Sequence, residues 1–335
     1  MRRHGKLWEK IISEKNIQLA YIKARKHKSQ FRAVKKFEKN EKENLEKIRQ
    51  SLINKTFKTA KYFEKQVYEP KQRTIYVLPF SPDRIVQHAL MNILIPIFEG
   101  LFIKDSYACI ENRGLHKGSL RTMEYVRRNK YCLKCDISKF YPSINHEILL
   151  KIIKRKIKCK DTLWLVEDIV NSFPGNTNIP IGNFTSQWFG NLYMNELDRY
   201  VKEELKIKDY IRYCDDFCLF HNDKKVLNQA KVKIKEFIET RLELKFSKCD
   251  LFQTSQGVDF LGYRHFKKYI LLRKSTTKRV KKRLSKLPKL LEENKISKEQ
   301  FRSSVASTIG WIKWANSHNL SLALNIRQLQ EVANA

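Results

Sequence analysis

Residues 209–220, DYIRYCDDFCLF, set two adjacent aspartates between two short apolar runs. Residues 211–214 and 217–220 have strand length and β-favouring side chains, so the segment predicts a hairpin with Asp215 and Asp216 at its tight turn. Adjacent carboxylates repel, and the flanking apolar runs draw them toward a core where unpaired charge is costly. An ordinary polar turn is one reading, since Asp is a common turn residue. The other is a divalent-metal site, in which a cation held by hard carboxylate oxygens relieves the repulsion. That second reading requires another acid from elsewhere in the chain.

Asp136 supplies one. YCLKCDISKFYPSINHEILLKIIKRKI begins as an apolar strand, ends the strand at Asp136, turns through residues 142–145 and enters an amphipathic helix. An isolated Asp after a strand is usually a cap or turn residue. Joined with the Asp-Asp hairpin about 80 residues later, it would complete a carboxylate cluster. Two metals about 4 Å apart in such a cluster would support nucleotidyl transfer, activating a 3′-hydroxyl and stabilising a leaving pyrophosphate. In the same strand Cys132 and Cys135 have the spacing of half a zinc site, but no second pair exists, so both are expected in the core.

The charge balance points to a polyanionic partner. The 335 residues carry a net +33 and are 42% hydrophobic, enough for a substantial core. Residues 264–289 hold twelve Lys or Arg and no acid, which suits a phosphate-facing surface better than an ordinary solvated face. Residues 1–60 are helical in pattern, with 18 basic against 6 acidic residues, and would bind template RNA or an accessory protein. No apolar run is long enough to span a membrane and no signal peptide is evident. Seven cysteines, an odd number scattered through apolar segments, fit reduced thiols and a cytoplasmic setting.

Between the acidic sites, NIPIGNFTSQWFGNLYMNELDRYVKEEL has an irregular entry at Pro180 and Gly182, then apolar residues at helical spacing. Gly182 permits close approach of another group, and Ser186 and Gln187 offer polar contacts on the first turn. KKVLNQAKVKIKEFIETRLEL follows as an amphipathic helix with Val226, Ala230, Ile234, Phe237 and Ile238 on one side. LKFSKCDLF and GVDFLGYRHF then read as strands, completing an α+β layer with helices on one sheet face.

In this order the motifs resemble those of the reverse transcriptases, right-hand polymerases with fingers, palm and thumb. CDISKFYPSI resembles the motif with the first metal aspartate, IPIGNFTSQ the template- and nucleotide-contacting motif, and YCDD the paired-aspartate motif. LKFSKCDLF and FLGY match later palm segments, and KQRTIYVLPFSPDRIVQHALMNILIPIFE resembles the fingers block. The resemblance spans about residues 65–265 and continues weakly through GWIKWANS. Retron and group II intron enzymes usually begin the motif written here as IGNFTSQ with Gln-Gly and end it with Ser-Pro. Here Ile181 precedes Gly182 and Gln187 follows Ser186, a pattern similar to reverse transcriptases of diversity-generating retroelements.

The resemblance implies an α+β fold with helical and strand fingers, an antiparallel-sheet palm covered by helices, and a small helical thumb. It places a basic N-terminal segment over 1–60, fingers over 61–130, a palm over 131–262 with a helical insertion near 146–178, and a basic thumb over 263–335. It makes Asp136, Asp215 and Asp216 the catalytic metal ligands for two Mg²⁺ ions, with Mn²⁺ able to substitute. It gives Arg73 and Lys71 to the incoming triphosphate, Tyr141 to exclusion of a ribose 2′-hydroxyl, and Ile181, Gly182 and Gln187 to the nucleotide site. Lys248 would serve as general acid or merely neutralise phosphate. Phe260, Leu261, Gly262 and Tyr263 would grip the primer, and Lys278, Arg279, Lys281 and Lys282 would follow the duplex. Ile309, Trp311, Ile312 and Trp314 are expected in the thumb core.

The implied activity is RNA-directed DNA synthesis, copying a template-repeat RNA into error-prone, adenine-mutagenised cDNA that diversifies a target gene. Template RNA, the cDNA–primer duplex, dNTPs and a basic oligomeric accessory protein are the implied partners. A retron-type or phage-defence enzyme is the rival within the family. A non-catalytic nucleic-acid-binding protein of the same fold is the rival outside it, although three retained carboxylates beside phosphate would serve a mere binder poorly.

Overall fold

A computed structural model describes residues 3–68 and 72–334. Four helices open the chain: α1 (Trp8–Ile12), α2 (Glu14–Arg25), α3 (Arg32–Glu38) and α4 (Glu41–Ile53). Ser13 caps α2 through its side chain, which accepts from Asn16 N, and Ile17, Ala20, Tyr21 and Ala24 form the buried stripe. The basic residues fall mostly on the opposite, exposed face. A hairpin of β1 (Phe63–Val67) and β2 (Arg73–Val77) follows, with Val67 opposite Arg73. After an irregular helical turn at Phe80–Arg84 comes α5 (Ile85–Glu99), apolar enough to be buried along most of its length.

Next come α6 (Leu115–Arg128) and β3 (Tyr131–Ile137). Residues 142–145 are less of a simple turn than the sequence suggests, because α7 (Phe140–Ser143) forms one helical turn before Asn145 caps α8 (His146–Lys154). Lys139 takes up the change of direction in the left-handed region, at φ 44 and ψ 46. The chain continues through α9 (Lys160–Val170) and α10 (Phe184–Arg199), then β4 (Asp209–Tyr213) and β5 (Asp216–His221). Helix α11 (Lys224–Arg241) buries Leu227, Ala230, Ile234 and Ile238, while Val226 and Phe237 are only half-buried.

Strand β6 (Phe246–Gln253) joins a four-stranded sheet of order β4-β5-β3-β6. β7 (Val258–Phe260), β8 (Tyr263–His265) and β9 (Ile270–Leu272) make a separate antiparallel sheet. GVDFLGYRHF therefore belongs to its own meander and not to the layer that carries the aspartates. The final helices are α12 (Lys274–Leu284), α13 (Leu287–Glu292), α14 (Lys298–Ile312), α15 (His318–Ala323) and α16 (Ile326–Asn334). Ser297 and Gln300 form a reciprocal capping box that fixes the start of α14.

The chain divides into two compact, discontinuous units. One comprises Met1–Lys104, Cys135–Lys206 and Val232–Lys248; the other comprises Asp105–Lys134, Ile207–Lys231 and Cys249–Ala335. In the second, Tyr263, Leu284, Phe301, Val305 and Ile312 anchor a core on which Ile309, Trp311 and Trp314 pack, as expected. Cys132 and Cys135 are fully buried in β3, three residues apart on a strand whose faces alternate. No helix of the described residues is long and apolar enough to cross a membrane.

Candidate functional site

The carboxylates are placed by strand ends. In the first unit Asp136 is the penultimate residue of β3 and is half-buried. Ser247 Oγ donates to Asp136 Oδ2 at 2.5 Å and to the Asp136 carbonyl oxygen at 3.1 Å, while Ser138 N donates to Lys245 O at 2.8 Å. Among the described residues Asp136 has no Lys or Arg ion pair. In a chain of net charge +33 such a carboxylate suits a cation from outside the protein.

In the second unit the paired aspartates occupy different positions. Tyr213 pairs with Asp216 across the β4–β5 hairpin, so the two-residue turn is Cys214 and Asp215, and Asp216 is the first residue of β5. Cys214 has φ +59, the left-handed conformation such tight hairpin turns require. The fully buried Arg212 steadies it by donating from Nη1 to the Cys214 carbonyl at 2.9 Å. Asp215 thus lies in the turn proper. Asp216 lies 3.4 Å from Lys134 Nζ, which also donates to Asp259 O at 2.5 Å. Burial opposes charge on Lys134, but Asp216 and other neighbouring acidic groups outweigh it and raise its pKa.

Lys134 and Arg212 were not anticipated as site residues. Their signal was one basic residue set among apolar neighbours within a strand, which also fits a solvent-facing position. Among the described residues no group of three or more His, Cys, Asp or Glu forms a ready-made metal cage. The donor chemistry nonetheless fits Mg²⁺, which is commonly held by one or two carboxylates together with substrate phosphates and water.

Two of the expected nucleotide-contacting residues of the first unit, Ile181 and Gly182, meet the β1–β2 hairpin. Gly182 has φ +125, and a β-carbon there would lie 2.3 Å from the carbonyl oxygen of Tyr76 in β2. Tyr76 N donates to Ile181 O at 2.8 Å, so the Ile181–Gly182 backbone is docked on the hairpin strand that Arg73 begins. Ile181 is half-buried, Arg73 and Gln187 are exposed, and Ser186 Oγ donates to Pro180 O at 2.8 Å. Lys71 lies outside the described residues. Tyr141, half-buried in α7, packs on Gly190 of α10, where a β-carbon would be 3.2 Å from the Tyr141 ring. Lys248 is exposed on β6, next to Ser247.

Phe260 and Tyr263 point inward in the second unit, both with 0% exposure. They close the β7–β8 hairpin, whose turn residues Leu261 and Gly262 have φ +57 and +83. Any grip on a strand here would come from the turn backbone, not from aromatic side chains. The turn is tied down: Tyr263 Oη donates to Trp311 O at 3.0 Å, and Arg273 N to Gly262 O at 3.0 Å. On α12, Lys278, Arg279, Lys281 and Lys282 are all exposed and have no ion pair among the described residues.

Comparison with known proteins adds four likenesses. A family model described as "Reverse transcriptase (RNA-dependent DNA polymerase)" matches residues 58–265. Protein YkfC of Escherichia coli (strain K12) is 24% identical over 57% of this chain and 62% of its own length, so the match leaves more than a third of that relative uncovered. The retron Ec73 reverse transcriptase of Escherichia coli is 28% identical over 78% of this chain and 84% of its own length. A solved apo telomerase from Candida tropicalis overlays with a TM-score of 0.46 at 14% identity, over 62% of this chain and 47% of that one.

Proposed function

Because the chain belongs to the reverse transcriptase family and has its right-hand polymerase fold, we propose that it copies an RNA template into DNA by two-metal nucleotidyl transfer. The observation that carries this reading is the hairpin turn that contains Asp215, lying inside the region matched to the family. When bound, two Mg²⁺ ions would activate the primer 3′-hydroxyl and stabilise the leaving pyrophosphate. Asp136 and Asp215 are the direct ligands in this reading, and Asp216, with Lys134 beside it, completes the acidic set.

The remaining side chains bind and orient. Arg73 and Lys71 hold the triphosphate, the Ile181–Gly182 backbone and Gln187 form the wall of the nucleotide site, and Tyr141 excludes a 2′-hydroxyl. Lys248 neutralises phosphate or donates a proton to the leaving group. The turn at 261–262 steadies the primer, and α12 follows the duplex. In this scheme residues 61–130 are fingers, 131–262 palm and 263–335 thumb, and the protein works in the cytoplasm.

More finely, we propose service in a diversity-generating retroelement, copying a template repeat with errors opposite adenine, with a basic oligomeric accessory protein as partner. The support is the pair of departures at Ile181 and Gln187. A retron-type role is the second reading, favoured by the match over 84% of the retron Ec73 enzyme. Primer extension by the purified protein on RNA with Mg²⁺ and dNTPs tests the polymerase reading, and no extension would overturn it. The neighbouring genes separate the finer readings: an adenine-rich template repeat beside a near-identical variable repeat supports the first, a structured noncoding RNA gene the second.

A further inference from the structure

Lys28 and Arg84 are half-buried cations within the first unit, close enough for their charges to act on each other and on the half-buried His88. Lys28 follows the end of α2, Arg84 ends the irregular turn before α5, and His88 lies one turn further along α5. Helices α2 and α5 pack together; Lys23 Nζ donates to Asn92 Oδ1 at 2.7 Å, and Asn16 Nδ2 to Ala89 O at 3.0 Å. The His88 ring stacks on Phe184, the first residue of α10, with centroids 4.2 Å apart and planes 19° from parallel. Its Nδ1 is buried with no hydrogen-bond partner among the described residues.

Among the described residues no carboxylate pairs with this charge, neither at Lys28 nor at Arg84; Lys28 Nζ reaches only Ala24 O, at 3.3 Å. The adjacent Asp83 is buried, accepts from Ala60 N at 2.8 Å and forms no ion pair with Arg84 among the described residues. Glu38 is engaged by Arg25 at 2.6 Å and by Tyr21 at 3.3 Å. Burial lowers the pKa of Arg84, and burial followed by repulsion from Arg84 lowers that of Lys28. Burial, then the charges of Lys28, Lys23 and Arg84, pushes His88 down to about 4, so its ring is neutral at neutral pH. A half-buried guanidinium and ammonium without a counter-ion are costly, and an anion arriving from outside removes that cost. Asn183 does not cap nearby α10 through its side chain, and although Phe184 N donates to Gln87 Oε1 at 3.0 Å, the helix start still adds partial positive charge.

We propose that Arg84 and Lys28 form a phosphate site for a single-stranded nucleic acid, with the His88–Phe184 stack as its flat wall. A free nucleotide triphosphate has the same chemistry. The polymer is favoured because exposed Lys26, Arg32, Lys35 and Lys36 extend the positive charge beyond Lys28 and Arg84, giving further phosphates of one strand somewhere to go. The identity of that strand as the RNA template rests on the polymerase reading above.

The test uses the full-length protein with a primer–template carrying an RNA 5′ overhang of roughly ten nucleotides, and a blunt duplex of the same sequence. For Lys28→Gln/Arg84→Gln, affinity for the overhang substrate is expected to fall roughly tenfold, and its log–log salt slope to shrink by about 1.4, or 0.7 per contact. Affinity for the blunt duplex and thermal stabilisation by dNTP should not change. Without nucleic acid, Arg84→Gln should melt at or above the wild-type temperature, because it removes an uncompensated charge. Unchanged overhang affinity and slope would overturn the site. Loss of dNTP stabilisation with intact overhang binding would overturn the polymeric ligand, and a lowered melting temperature with intact binding would make Arg84 structural. Failure of the polymerase reading would appear separately, as absent extension by the wild type while overhang binding still depends on Arg84.

Discussion

A β-carbon built on Gly182 would stand 2.3 Å from the carbonyl oxygen of Tyr76, closer than any van der Waals contact allows. The positive φ of Gly182 adds a second barrier to any larger residue. Gly182→Ala should therefore push the 180–183 segment off the β1–β2 hairpin and destabilise the fold by about 1–3 kcal/mol. Urea unfolding measures the loss, and the KM for dNTP should rise with it. A variant of unchanged stability and KM would show that the junction yields at no cost.

Asp215→Asn keeps the shape of the turn while removing the charge that a metal would use. It should abolish primer extension and leave RNA affinity within about twofold, since binding rests on phosphate contacts elsewhere. Extension at the wild-type rate would exclude Asp215 as a ligand.

Neutralising Lys278, Arg279, Lys281 and Lys282 to Gln removes four exposed charges from one face region of α12. If each contacts a phosphate, the log–log salt slope of duplex binding should flatten by about 0.9 per contact. Affinity measured between low and moderate salt reports this directly. An unaltered slope would place the duplex on another surface.

Ile181 offers no side-chain donor or acceptor, and its carbonyl is already taken by Tyr76 N. Ile181→Gln should supply an amide near the incoming sugar and lower misincorporation by roughly threefold to twelvefold, the equivalent of one neutral hydrogen bond. Error rates opposite each of the four template bases provide the measurement. Equal rates for variant and parent would mean that Ile181 is only packing.

His265 has no exposed surface, and its Nε2 lies 2.7 Å from Ser119 Oγ while Nδ1 lies 3.1 Å from Val258 O. The neutral ring fits both contacts, donating from Nδ1 and accepting at Nε2. Burial pushes its pKa down to about 4, below the ordinary histidine value, so the unfolded chain binds a proton first as pH falls. Its contribution is complete above about pH 6.5 and is lost as pH falls toward 4, amounting to about 3 kcal/mol. His265→Gln should flatten the fall of the urea midpoint across that window. His88, with its pKa also near 4, leaves a residual slope. An identical pH profile for variant and parent would contradict the assignment.

What was legible in the sequence follows from the range of the signals. Helix α11 and the β4–β5 hairpin announced themselves because periodicity and turn chemistry are local, yet Cys214 took the first turn position that the sequence alone offered to an aspartate. Leu227 was missed in α11 because the apolar residues allow two stripes, and only packing chooses between them. The roles of Lys134 and Arg212 depend on partners at long range: Asp259 for the lysine, and Asp105 and Tyr107 for the arginine backbone. GVDFLGYRHF was readable as strand, but the turn at Leu261 and Gly262 was not, and which way Phe260 and Tyr263 point is set by the core beneath the hairpin. No local pattern carries that information.

The contact between the 261–262 turn and α14 limits how this protein could be recombined with its relatives. A β-carbon on Gly262 would lie 2.9 Å from Trp311, and the neighbouring tyrosine is hydrogen-bonded to the backbone of that tryptophan. The hairpin and the helix are thus a lock and its key, cut to one another some fifty positions apart in the chain. A chimera joined between β9 and α14 inherits half of each fit. It would carry either a void where a smaller residue replaces the indole or a collision where any side chain replaces the glycine, so crossovers that keep residues 258–314 together are the ones that should yield folded hybrids.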